Sequence, residues 1–398
     1  MKRRELLKAI GYSSVLLSTG VHHMSFGAPV NSPLIVVFLR GGADSLQMAA
    51  PIDDPHYISA RPANLRILDY GPNKGIQIAK AFAPQRDCRL HHSCAPLTEL
   101  FQSGHAQILH ACGLENATRS HFEAQEMLES NLTSVNGKNN AYADGWLAPF
   151  LLSTVNKTNQ IQSVGTSVGQ IRSLKGVKST LGLSGELRTG IGFPDDSNGK
   201  LALEALYSNN TSNDPIFQIG RAAIEQMNLL EKKVDRKDGR IKPYTPPKNI
   251  EYNAENNNWL HATQTVAQLI KMDIGLKVAC INLGGWDTHE NQAGRINTSI
   301  RQWAGNIKAL IEDLQASNQH ATIMVMSEFG RRLRANASGG TDHGHANALW
   351  LFDTKKRGLL PSTIWPGLAS ENLDQGLDLK RTSEVKKTLS MIAKQSLT

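Results

Sequence analysis

Short apolar runs recur along the chain at "PLIVVFLR", "AQILHACG", "KVACINL", "TIMVM" and "ALWLF". Each is too short for a helix and ends at a polar tip or a turn, so each predicts a buried strand. Between them the apolar period lengthens, predicting helices from about Pro96 to Gln102 with a stop at Gly104, after Ser120, around 255 to 272, and from about 294 to 316. Strand and helix alternate, which is the signature of a layered α/β sheet. From about 150 to 250 the texture changes to Asn, Ser, Thr, Gly and Lys, ending in the connector "EKKVDRKDGRIKPYTPPKN". That stretch predicts short strands and turns, an insertion or cap on a single domain running from 28 to 398. No internal repeat is visible.

The first 27 residues stand apart. "MKRRELLKAIGYSSVLLSTGVHHMSFGAP" has a basic start, a modest apolar stretch and small residues near Ser25, Gly27 and Ala28, the layout of a cleavable export signal. Arg3 and Arg4, followed by Glu5, Leu6, Leu7 and Lys8, resemble a twin-arginine signal, with a plain secretory signal as the alternative. The expected location is periplasmic or extracellular. No later apolar run is long enough to span a bilayer, so an integral membrane protein is excluded.

The formal charge of +8 falls to about +5 without the signal, and the surplus is spread with no aromatic-interleaved basic tract. A phosphate or sulfate ester therefore suits this chain better than nucleic acid. Four cysteines, Cys88, Cys94, Cys112 and Cys280, form no CxxC pair. They read as one bridge among the first three or as small buried apolar residues.

Chemistry gathers just past the predicted strands. Asp44 follows "LIVVFLR"; Ser120 and His121 follow "AQILHA"; Asp287 and His289 follow "KVACINL"; Glu328 and Arg331 follow "TIMVM". Then "GGTDHGHAN" supplies Asp342, His343 and His345. Ligands of open α/β sheets bind outside the carboxyl ends of strands, so these residues predict one composite site. Imidazole and carboxylate suit Zn²⁺, Mn²⁺ or Fe²⁺. Asp287 with His289, and His343 with His345, can each point one way if the backbone is extended, and so many ligands suit two ions.

The stretches "FLRGGADSLQMAAP", "RSHFEAQEMLES", "GWLAPFL", "GGWDTHENQ" and "SEFGRRLRANASGGTDHGHANALWLF" together resemble the exported bacterial family known as domain of unknown function 1501. That family is grouped with the alkaline phosphatase and sulfatase superfamily. The resemblance implies a large, mostly parallel central sheet flanked by helices, with two divalent ions and a Ser, Thr or formylglycine nucleophile. It implies that Asp44 holds one ion and that Asp287 and His289 hold the other. It also implies a contribution from Glu328, where an Asp-His pair is usual, from His343 or His345, and from His121 in place of the missing ligand at Phe329.

For the nucleophile, "SCAPLTELFQSG" resembles the sulfatase pattern Cys-x-Pro-x-Arg at Cys94, with Thr98 where that pattern has Arg. Ser120 is the alternative, and it also reads as a helix cap with Glu123 three residues on. Arg119 and Arg331 are candidates to brace an anionic group. The expected function is an exported hydrolase of phosphate or sulfate esters, small or polymeric, using one or two divalent ions (Zn, Mn, Mg or Fe). The alternative is a non-catalytic exported metal-binding protein that keeps the fold and serves a co-expressed partner.

Overall fold

The computed structural model describes residues 32–78, 82–83, 85–130, 144–153, 160–166, 171–177, 180–183, 185–187, 197–207, 214–237, 240–356, 360 and 362–397. The export-signal expectation for 1–27 lies outside them.

Eight strands form the main sheet: β1 (Leu34–Leu39), β2 (Ala106–Gly113), β3 (Ser163–Gly165), β4 (Thr180–Gly182), β5 (Val278–Leu283), β6 (Thr322–Met326), β9 (Asn347–Asp353) and β12 (Ser383–Glu384). Their order is β12-β2-β9-β6-β1-β5-β3-β4, and β9 alone runs against its neighbours β6 and β2. The sheet is therefore mostly parallel, as the alternation of strands and helices leads one to expect.

A parallel strand is covered on both faces, and β1 shows why "LIVVFL" carries no polar residue. All six of its residues are buried. Ile35, Val37 and Leu39 join the core built with Trp259 and Val266 of α4 (Asn257–Lys271) and Ile300, Trp303 and Ile307 of α5 (Gln292–Ala316). Leu34, Val36 and Phe38 join the opposite core, with Ala124 and Leu128 of α1 (His121–Glu129) and Val385, Leu389 and Ile392 of α6 (Val385–Leu397). The strand period of two assigns alternate residues to alternate faces, and each face meets an amphipathic helix.

Part of the 150–250 stretch completes the main sheet, since β3 pairs with β5 and β4 with β3, both parallel. The same stretch contributes α2 (Ser197–Tyr207) and α3 (Pro215–Glu231). The predicted helix at Pro96–Gln102 starts earlier: a 3₁₀ turn at His92–Leu97 leads into a helix at Thr98–Gln102. The His91 side chain accepts the Ser93 N–H at 3.2 Å and starts the turn there.

A second sheet, absent from the sequence expectations, lies beside the site. It comprises β7 (Arg331–Ala335), β8 (Thr341–His343), β10 (Leu373–Asp374) and β11 (Asp378–Leu379), in the order β8-β7-β11-β10. These strands are two to five residues long and polar, so they carry no hydrophobic alternation to read. All four cysteines are buried and free, which rules out the bridge among Cys88, Cys94 and Cys112. Among the described residues, no helix is long and apolar enough to cross a membrane.

Candidate metal centre

The carboxyl ends of β1, β2, β5 and β6 converge, and the turn after β1 holds the convergence together. Gly41 and Gly42 take φ of +121° and +65°, a region that L side chains rarely adopt. A Cβ on Gly41 would sit 2.4 Å from the Asp287 nitrogen, and one on Gly42 would sit 2.6 Å from the Phe329 ring. The N–H groups of Gly41 and Gly42 donate to the two oxygens of Glu328 at 2.9 and 3.1 Å. Their carbonyls face the other way and accept from the Arg331 guanidinium, Gly42 at 2.6 Å. One glycine pair thus holds an anion on one side and a cation on the other.

Arg331 spends every donor nitrogen inside the protein. Besides the glycine carbonyls it reaches Thr341 O at 2.7 Å, Trp286 O at 3.1 Å and Asp287 Oδ1 at 2.7 Å. With its side chain fully buried it braces Asp287, and no part of it reaches solvent to meet a substrate. Arg119 is also committed, its Nη2 lying 2.5 Å from Asp378 Oδ2.

Three histidines surround Asp287, and each is oriented by a partner at Nδ1. His121 Nδ1 meets Glu328 Oε1 at 2.8 Å, His343 Nδ1 meets the Arg119 carbonyl at 2.8 Å, and His289 Nδ1 meets Asp342 Oδ1 at 3.2 Å. All three partners are acceptors, so each neutral ring carries its proton on Nδ1 and presents a lone pair at Nε2. Those lone pairs converge. Asp287 Oδ1 lies 3.1 Å from His289 Nε2 and 3.2 Å from His343 Nε2, and Asp287 Oδ2 lies 3.4 Å from His121 Nε2. The Nε2 atoms of His289 and His343 are 2.9 Å apart, a separation that two free lone pairs do not tolerate, so at least one of them is taken up by a proton or a metal ion. His121 Nε2 is buried and makes no hydrogen bond. His121, Asp287 and His343 offer ligand atoms all within 4.8 Å of one another. Tetrahedral zinc with bonds of ~2.0 to 2.1 Å sets its ligand atoms about 3.3 Å apart, so the donor set and spacing fit a divalent ion.

The carboxylates of the cluster are held ionised. Burial raises the Asp287 carboxyl, but Arg331, His343 and His289 outweigh it and hold the group at about 2. Glu328 is also raised by burial, and the His121 hydrogen bond together with backbone and Gln125 donors brings it down to about 2. The bond to Glu328 raises His121, against burial. Burial lowers His343. The Asn336 amide, ahead of His289, lowers Asp342.

Several sequence candidates have other partners. Asp44 is fully buried, paired with Arg61 at 2.7 and 3.1 Å, and also accepts from Gln292 Nε2 at 2.7 Å. Glu328 meets the centre through His121, and Asp342 through His289. His345 does not share the direction of His343. β8 ends at His343, and Gly344 packs so closely on the Arg331 backbone that a Cβ there would lie 2.6 Å away. Past that bend the ring of His345 lies between Asp374 Oδ2 and Leu114 O, both at 2.9 Å.

Ser120 caps α1, its Oγ accepting from Glu123 N at 3.5 Å, while the Glu123 carboxylate accepts from Thr118 Oγ1 at 2.6 Å. Cys94 has no exposed surface, and burial raises its thiol well above the ordinary range.

Sequence reasoning missed the residues that orient the candidate ligands. Gln125, one helical turn after His121, donates to Glu328 at 2.8 Å; the i, i+4 spacing on a helix opened by a candidate ligand was its signal. Asn336 donates to the His289 carbonyl and to Asp342, and accepts from Ser338 N and Gly340 N. An Asn ahead of "SGG" is the readable sign of such a turn. Arg61 had no signal.

Among curated proteins none matches the chain. The zinc complex of the C-terminal periplasmic domain of EcEptC from Escherichia coli is similar at 10% identity and a TM-score of 0.38, over 92% of this chain and 83% of that one. The alkaline phosphatase of the Antarctic bacterium TAB5 is similar at 9% identity and 0.34, over 92% and 99%. A putative sulfatase from Bacteroides thetaiotaomicron is similar at 10% identity and 0.31, over 92% and 71%. The family model described as protein of unknown function (DUF1501) matches residues 31–352, and the chain belongs to that family.

Proposed function

We propose that the chain is an exported metal-dependent hydrolase acting on phosphate or sulfate esters, with one divalent ion held by His121, Asp287 and His343. The observation that carries this reading is the convergence of oriented Nε2 lone pairs on the Asp287 carboxylate. When bound, such an ion supplies Lewis acidity, polarising an ester oxygen and acidifying water.

The chain's own residues supply the rest. Glu328 and the Arg119 carbonyl hold His121 and His343 with Nε2 inward, as carboxylates and carbonyls do for metal-ligating histidines. Arg331 fixes Asp287. His289 stands on the open side, its side chain and that of Asp287 more than two-fifths exposed. With Nδ1 held by Asp342, His289 accepts a proton from the attacking water at Nε2 and is the general base of this reading. Ser120 and Cys94 are engaged or buried, which favours water over a side-chain nucleophile.

The non-catalytic reading draws support from Arg119 and Arg331, because neither extends a free guanidinium towards an anionic substrate. The two readings separate by experiment. Under the hydrolase reading, His289→Ala retains the ion and lowers hydrolysis of 4-nitrophenyl phosphate or sulfate by about 10² to 10⁴-fold, the usual share of a general base. His121→Ala loses ion and activity together. A wild-type protein that binds the ion and hydrolyses neither ester would decide for the partner-binding reading.

A further inference from the structure

A second site opens beside the metal centre. A cavity of about 570 Å³ lies between α1 and α6, at the edge where β12 joins β2. That volume falls within the ~300 to 1,000 Å³ range of small-molecule pockets. Its apolar lining comes from Leu114, Met127 and Met391. Lys386, Lys387 and Lys394 also line it, and the Lys386 ammonium donates to Ser130 O at 3.0 Å.

The α6 wall is ordered by helical spacing. Lys387, Met391 and Lys394 stand at i, i+4 and i+7, on the face opposite Leu389, Ile392 and Ala393, which pack into the core. All three are exposed, so nothing in the fold requires a methionine between two lysines there. Two acidic groups also line the cavity. Glu384 is occupied, its oxygens accepting the N–H groups of Lys386 and Lys387 at 3.0 and 2.7 Å. Glu115 is exposed. The balance is positive over an apolar floor, and polarizable methionine side chains adapt to flexible apolar chains.

We propose that this groove binds a single-chain anionic amphiphile, with the apolar chain along Leu114, Met127 and Met391 and the anionic head against the exposed face that carries Lys387 and Lys394. The groove shares structural elements with the metal centre. Asn116, which lines it, is three residues from Arg119, whose carbonyl orients His343, a chain span of at most about 11 Å. Met127 lies six residues after His121 on α1, roughly 9 Å along the helix. The assignment is independent of the hydrolase reading, because binding is measured without metal and without turnover.

The test uses the full chain, stripped of metal with a chelator, and the fluorescent acid cis-parinarate below its micellar range. The expected result is saturable binding of one parinarate per chain, displaced by dodecyl phosphate and not by dodecyltrimethylammonium or inorganic phosphate. The double variant Lys387→Glu/Lys394→Glu should weaken binding at least tenfold. Lys387→Arg/Lys394→Arg should stay within twofold of wild type, and circular dichroism should show both folded. Absence of saturable binding, equal displacement by the cationic amphiphile, or unchanged affinity in the charge-reversed variant would overturn the proposal.

Discussion

Replacing Glu328 with Gln tests whether this carboxylate acts on a metal ion through His121 or touches the ion itself. Glu328 Oε1 faces three donors, Gly41 N, His121 Nδ1 and Gln125 Nε2, at 2.8 to 2.9 Å. Oε2 faces two, Gly42 N at 3.1 Å and Ser327 Oγ at 3.0 Å. A glutamine would keep its oxygen on the three-donor side and turn its NH₂ towards the other. Ser327 adapts, because its hydroxyl can donate to Leu39 O and accept from the new amide. Gly42 N–H cannot adapt and is left buried without a partner, at a cost of about 1 to 3 kcal/mol of stability. Removing the charge behind His121 should weaken metal binding by about 10 to 100-fold, as outer-shell partners do, or about 1.4 to 2.8 kcal/mol. Competition against a chromophoric zinc chelator gives the affinity, and urea unfolding of the metal-free protein gives the stability. Unchanged zinc affinity in a folded variant would refute the orienting role. A loss as complete as that of His121→Ala would show Glu328 to be a direct ligand.

Two further substitutions probe buried charge away from the ligands. Arg61→Met leaves Asp44 without its cation, and should cost about 3 to 5 kcal/mol in urea unfolding; a loss under about 1 kcal/mol would show that the pair is not holding the β1 turn. His110 is fully buried beside Phe82 and Trp365, and burial, partly offset by its bond to Ala49 O, lowers it from 6.5 to about 3. Because its folded value lies below the unfolded one, its stabilising share is complete above about pH 6.5 and is lost as pH falls towards 3. Between pH 7 and 4.5 that loss is on the order of 2 to 3 kcal/mol, and His110→Phe should shrink the measured pH dependence of unfolding by that amount. An unchanged pH dependence in the variant would contradict the buried neutral ring.

Five strands of the main sheet were legible because they are buried and so read as apolar runs, as β1, β5 and β6 show, whereas β3, β4 and β12, two or three residues long, carry no such run. The polar residues after those runs were legible for the same reason: a change from apolar to Asp, Glu or His marks a strand's carboxyl end. Their division of labour was not legible. Asp44 and Asp287 both follow a strand and each meets a buried arginine, yet Asp44 is enclosed with Arg61 while Asp287, beside Arg331, opens to solvent. Likewise, the i, i+2 spacing of His343 and His345 suggested one direction. The bend at Gly344, set by contact with the Arg331 backbone, separates them. Glycine pairs such as Gly41-Gly42 signal a turn, but not that its N–H groups and carbonyls hold opposite charges.

The central claim, that three converging groups hold one divalent ion, is tested most directly by loading the full chain with zinc, removing free metal, and counting ions by plasma mass spectrometry. The measurement compares wild type with His121→Ala/His343→Ala. One ion per chain in the wild type and none in the double variant is the expected result. Equal metal content in the two proteins, or none in the wild type, would contradict it.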